Sequence, residues 1–86
     1  MARKDASSGY LFEYEARREG RTVAVLRGLE GVNGAITVQT EVYPVTAHAN
    51  ADPQIRPYAF PTRELATRFV DEALLALEYL GCTLAT

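Results

Sequence analysis

The chain has 86 residues, 48% of them apolar, with nine basic and eleven acidic side chains and a net charge of −2. A chain of this length supports one domain and buries only about 60% of the surface its unfolded form exposes, so its core must be economical or be completed by a partner. The composition excludes a disordered or fibrous protein, no apolar run reaches the ~18 residues of a membrane span, and Met1 to Tyr10 lacks the apolar stretch of a signal peptide; a cytoplasmic protein without membrane contact is expected.

Residues 1–9 are polar and read as a flexible N-terminal arm, residues 10–81 as a single domain, and residues 82–86 as a short C-terminal tail. From Tyr10 to Ala16 the chain alternates, with Tyr10, Phe12, Tyr14 and Ala16 on one side and Leu11, Glu13 and Glu15 on the other, the period of a half-buried strand. Glu19-Gly20 supplies a two-residue turn, and a second strand follows from Arg21 to Leu29. Asn33-Gly34 is the favoured pair for a type I′ hairpin, because both central residues must take positive φ; a third strand should then run from Ala35 to Tyr43. Pro44 to Pro57 is proline-rich and aperiodic and reads as a long loop containing His48, after which Tyr58 to Phe60 adds a short fourth strand at a sheet edge. Thr62 to Leu80 forms an amphipathic helix with Leu65, Ala66, Phe69, Val70, Ala73, Ala76, Leu77 and Leu80 on one arc, Thr62 as its N-cap and Gly81 as a left-handed stop. The fold class expected is α+β, an antiparallel three- to four-stranded meander sheet with one C-terminal α-helix packed on one face.

A two-residue loop fixes which residues face each other across a hairpin. Centred on Glu19-Gly20 it pairs Tyr14 with Val25 and Phe12 with Arg27; centred on Asn33-Gly34 it pairs Arg27 with Thr40 and Val25 with Val42. Both turns therefore assign Val23, Val25, Arg27 and Leu29 to the helix-facing side with Phe12, Tyr14 and Val38, unless a bulge at Gly28 or Gly31 shifts the pairing. On this register Arg27 lies among core residues and must reach the Phe12 ring or an acidic side chain of the helix. Leu11, Leu26 and Tyr43 are left on the outer face with Glu13 and Glu15, and Leu75 with Tyr79 makes a second apolar stripe on the helix.

The sequence contains no catalytic, cofactor-binding or metal-binding motif. His48 and Cys82 are each the only residue of their kind, which leaves no triad or ligand cluster, and GLEGVNG lacks the lysine and hydroxyl of a phosphate loop. A non-enzymatic protein without cofactor is expected. Charge is uneven: residues 1–27 hold six basic against four acidic side chains, the remainder three against seven. Arg17, Arg18, Arg21 and Arg27 are thus candidates for an anion or nucleic-acid contact, and Leu11, Leu26, Tyr43, Leu75 and Tyr79 for an interface.

Residues 58–74, YAFPTRELATRFVDEAL, resemble the last strand and helix of the AP2-type DNA-binding domain, in which aromatic, threonine, glutamate and alanine residues recur at similar spacing. The resemblance implies a three-stranded antiparallel sheet on a C-terminal helix, entering the major groove with arginines and tryptophans. Arg17, Arg18, Arg21 and Arg27 are of the matching kind, whereas this chain has no tryptophan. Strands followed by one long helix are also similar in topology to whirly-type single-strand binders. The first expectation is a small cytoplasmic interaction module, a homodimer that leaves room for another protein partner. A nucleic-acid-binding protein using the basic first hairpin and sheet is the alternative.

Overall fold

The computed structural model describes residues 9–44 and 52–85. Five strands form one antiparallel sheet: β1 (Phe12–Arg18), β2 (Arg21–Glu30), β3 (Ile36–Val42), β4 (Gln54–Phe60) and β5 (Thr83–Ala85), in the order β4-β3-β2-β1-β5. A helix, α1 (Arg63–Tyr79), joins β4 to β5. The class is α+β, with five strands instead of three or four. His48 and all of the expected N-terminal arm except Gly9 lie outside the described residues.

Both additions to the sheet come from segments without a readable period. Gln54–Pro57, expected as loop, extends β4 and sets Pro57 opposite Gln39. Pro57 has no amide hydrogen, so it fits only because β4 is an edge and its nitrogen can face away from β3, where no ladder bond is lost. The expected tail supplies β5, whose Thr83, Leu84 and Ala85 pair with Arg17, Ala16 and Glu15. Gly81, at φ +93°, makes the reversal that brings it there.

The expected register of β2 is overturned, and the cause sits at both of its ends. At the first hairpin Glu19 and Gly20 take positive φ as a two-residue turn requires, and Arg18 faces Arg21. The pairing then slips, with Arg17 opposite Thr22 but Ala16 opposite Ala24, which leaves Val23 as the extra residue of a bulge. At the second hairpin Asn33 and Gly34 also take positive φ, and the Ala35 N–H donates to the Val32 carbonyl. Here the N–H of Gly31, not of Val32, donates to the Ala35 carbonyl, so β2 again carries one residue more than a plain two-residue loop allows. Each slip turns β2 over relative to its neighbour. Leu26 now faces Tyr14 and Thr40, and Arg27 faces Glu13 and Gln39. Arg27 and Val25 therefore leave the core side, and Leu26, expected on the outer face, joins it.

The main core cluster is Leu26, Ile36 and Val38 of the sheet with Ala66 and Val70 of α1, ringed by Phe12, Tyr14, Phe60, Phe69, Ala73, Leu74 and Leu77. Burying a side chain of Leu, Ile or Val size contributes about 1.5 to 3 kcal/mol, so these few positions carry most of the stabilisation. Gly28 lies under the Phe12 ring, which occupies the place a Cβ would take. A second cluster of Ala16, Ala24 and Cys82 continues along the same side, with Val23, Leu77 and Leu84 packed against it.

The ends of α1 follow from its sequence. The Thr62 hydroxyl accepts a hydrogen bond from the Leu65 N–H at 3.2 Å, satisfying a first-turn donor, and Glu64 lies in that turn near the positive end of the helix dipole. At the other end the Gly81 N–H donates to the Glu78 carbonyl and the Cys82 N–H to the Leu77 carbonyl, the two bonds of a Schellman stop. The arc expected to face the core is wider than the one buried. Leu65 and Ala76 are exposed because they lie to one side of the Ala66, Val70 and Leu77 line, and Leu80 because it is the C-cap, beyond the last helical residue. Among the described residues no helix is long and apolar enough to cross a membrane.

Candidate functional site

Turning β2 over gathers charge on the sheet face away from Leu26 and Val38. Arg27 stands between Glu13 on β1 and Glu41 on β3: its Nε donates to Glu13 Oε2 at 2.6 Å and its Nη1 to Glu41 Oε2 at 2.7 Å. The guanidinium also lies 5.4 Å from the centre of the Tyr10 ring, a cation–π distance. Partial burial opposes the charge of Arg27. The hydrogen bonds it donates to Glu13 and Glu41, with their negative charges, outweigh it and hold Arg27 protonated above the ordinary arginine range.

Glu41 is also held from a second side, and Glu15 has donors of its own. Glu41 Oε1 accepts from the Tyr43 hydroxyl at 3.0 Å, and this hydrogen bond to a carboxylate, followed by burial, raises the Tyr43 phenol above its usual value. Glu15 accepts from the Thr22 hydroxyl and from Arg17 Nη1, the latter at 3.4 Å, while Arg17 Nη2 donates to the Gly20 carbonyl at 3.0 Å. Beneath them Val25 is only 6% exposed. Together Glu13, Glu15, Thr22, Val25, Arg27 and Tyr43 line a concavity of about 310 Å³.

Chemically this face is a set of carboxylates already supplied with donors. Three glutamates stand against Arg17 and Arg27, and the hydroxyls of Thr22 and Tyr43 are engaged by carboxylates. The four candidate arginines are not brought together. Arg17 and Arg27 are ion-paired on this face, whereas Arg18 and Arg21 face each other, exposed, at the end of the first hairpin. A phosphate approaching Arg27 would have to displace two carboxylates from it. Among the described residues no group of three or more His, Cys, Asp or Glu side chains is arranged to hold a metal ion.

The expected interface residues also separate. Leu26 is 3% exposed in the core, Leu11 is exposed before the start of β1, and Tyr43 is tied to Glu41. Leu75 and Tyr79 do share an open surface on α1, where they are 65% and 95% exposed. Glu13 and Glu41 were overlooked as partners of Arg27. The signal was present: only the shifted register puts Arg27 opposite Glu13 and on the same face as Glu41, diagonally across β3, and only the unshifted one puts a charge in the core. No protein-family model matches the chain, and no curated protein or solved structure is significantly similar to it.

Proposed function

We propose that this chain is a small, non-enzymatic, cytoplasmic interaction module that self-associates, using the solvent-facing side of α1. The observation that carries the reading is the exposure of Tyr79 at 95% with Leu75, one helical turn before it, at 65%. A domain with so few fully buried side chains gains from covering a further apolar stripe, and a two-fold pair needs only one self-complementary patch. The outer sheet face supports this role less well, since its charged groups are already paired within the chain.

Sedimentation velocity across a concentration series up to high micromolar tests the proposal. The expected result is a monomer–dimer equilibrium that Leu75→Glu shifts to monomer while leaving the thermal unfolding transition in place. A monomer at every concentration overturns it. Nucleic-acid binding by the first hairpin is the weaker alternative, because Arg17 and Arg27 already have carboxylate partners. A complex with generic DNA or RNA whose affinity falls steeply with salt would favour that alternative.

A further inference from the structure

The exposed side of α1 carries a pattern that selects its own partner, and its use depends on the self-association proposed above. Leu65, Arg68, Glu72, Leu75 and Tyr79 recur at alternating spacings of three and four residues, the spacing of a coiled-coil seam, and all five are exposed. At about 100° per residue they fall in one narrow strip on the side of the helix opposite the buried Ala66 and Val70. Among the described residues neither Arg68 nor Glu72 has an ion-pair partner within the chain.

We propose that a second copy of this chain covers the strip, with the two helices antiparallel about a two-fold axis near residue 70. In that register Leu65 meets the partner's Leu75 and Arg68 meets the partner's Glu72, and the symmetry repeats both contacts. Sliding one heptad either way sets Glu72 against the partner's Leu75 or Arg68 against the partner's Leu65, which leaves a charge without a counterpart. A parallel pair is worse, since it stacks Arg68 on the partner's Arg68 and Glu72 on the partner's Glu72. Centring on residue 70 also overlaps the helices along almost the whole of Arg63–Tyr79. Leucine layers supply the attraction, and the arginine–glutamate layers fix direction and register at a cost in affinity. The resulting contact is small, so the dimer is one that dissociates readily.

The test joins charge reversal to cross-linking in the full chain. Arg68→Glu should weaken dimerisation at least about tenfold, and the Arg68→Glu/Glu72→Arg double variant should return it to within about threefold of the original, because the reversed pair still matches itself antiparallel. The Leu65→Cys/Leu75→Cys double variant should form an interchain disulfide on mild oxidation. Leu65→Cys alone should not, because the two copies of that position then lie about 15 Å apart along the axis, beyond disulfide reach. Native Cys82 is buried, and the unmodified chain controls for it. These substitutions are at exposed positions, and circular dichroism should show each variant folded. A monomeric wild type would overturn self-association itself. A dimer indifferent to Arg68→Glu, or one that Leu65→Cys alone cross-links, would overturn the antiparallel register while leaving self-association standing.

Discussion

Leu26 and Val25 are neighbours on β2, are buried to nearly the same extent at 3% and 6%, and point to opposite faces of the sheet. Leu26 lies among Ile36, Val38, Ala66 and Val70, all apolar and closely packed. Val25 lies among Glu13, Glu15, Arg27 and Tyr43, whose carbon stems cover it while their polar ends reach water or one another. The fraction buried is therefore a poor measure of what a side chain contributes. On the first face a deletion leaves a cavity that rigid neighbours cannot fill; on the second, long flexible side chains can settle into the gap.

The largest expected effect separates the two faces directly. Leu26→Ala should cost about 2 to 5 kcal/mol in urea denaturation, as a buried large-to-small change. Val25→Ala should cost about 1.5 kcal/mol, near the transfer value of the carbons removed, at ~0.8 kcal/mol each. Equal losses at the two positions would show that the charged cover of Val25 is packed as tightly as the core.

A smaller effect probes that charged cover. Arg27→Met leaves Glu13 and Glu41 without their shared cation; the Glu41 side chain is 14% exposed, so its lost hydrogen bond should cost about 1 to 3 kcal/mol. Glu13→Gln should cost below about 1 kcal/mol, because the Glu13 side chain is half exposed and water replaces much of what is lost. Added salt should shrink the Glu13 effect more than the Glu41 effect. A gain in stability from Arg27→Met would mean that the ion pairs specify the arrangement of the strands without adding to its strength.

The same two faces explain what could be read from the chain beforehand. The helix was legible because its period, its Thr62 cap and its Gly81 stop are local, and nothing distant was needed to place them. The phase of β2 was not, because Val23, Val25 and Leu29 on one alternation and Ala24, Leu26 and Gly28 on the other are almost equally apolar. Two hairpin turns agreed on the wrong phase. Each bulge adds one residue on the β2 side, so the shift at one end matches the shift at the other, and consistency between the turns is blind to it. Arg27 was the tie-breaker, since one alternation buries its charge and the other sets it between Glu13 and Glu41. The candidate site followed the register: the arginines were visible, but their glutamate partners come from other strands. Edge strands β4 and β5 were obscured for a different reason, because a proline-containing strand and a three-residue strand borrow their order from the ladder beside them.

The smallest expected effect lies at the rim of the charged face and is read through pH. The Tyr43 hydroxyl donates to Glu41, and that hydrogen bond, with burial and the negative charge of Glu41, raises the phenol above its usual value. A group whose folded value exceeds its unfolded one stabilises the fold in its protonated form. The contribution is fully present below the unfolded value of about 10 and is lost as pH rises through the folded one. Between neutral pH and about pH 10 the difference in stability between the wild type and Tyr43→Phe should be constant and below about 1 kcal/mol, and above that it should shrink. The phenolate absorbance missing from Tyr43→Phe should likewise belong to a group that ionises late. The arrangement also couples Tyr43 to Arg27, because both bond to the Glu41 carboxylate. Glu41→Gln should therefore lower the Tyr43 transition toward the ordinary phenol range. A Tyr43 transition unmoved by Glu41→Gln would show that the hydroxyl does not hold this carboxylate in solution, and the charged face would then end at Arg27.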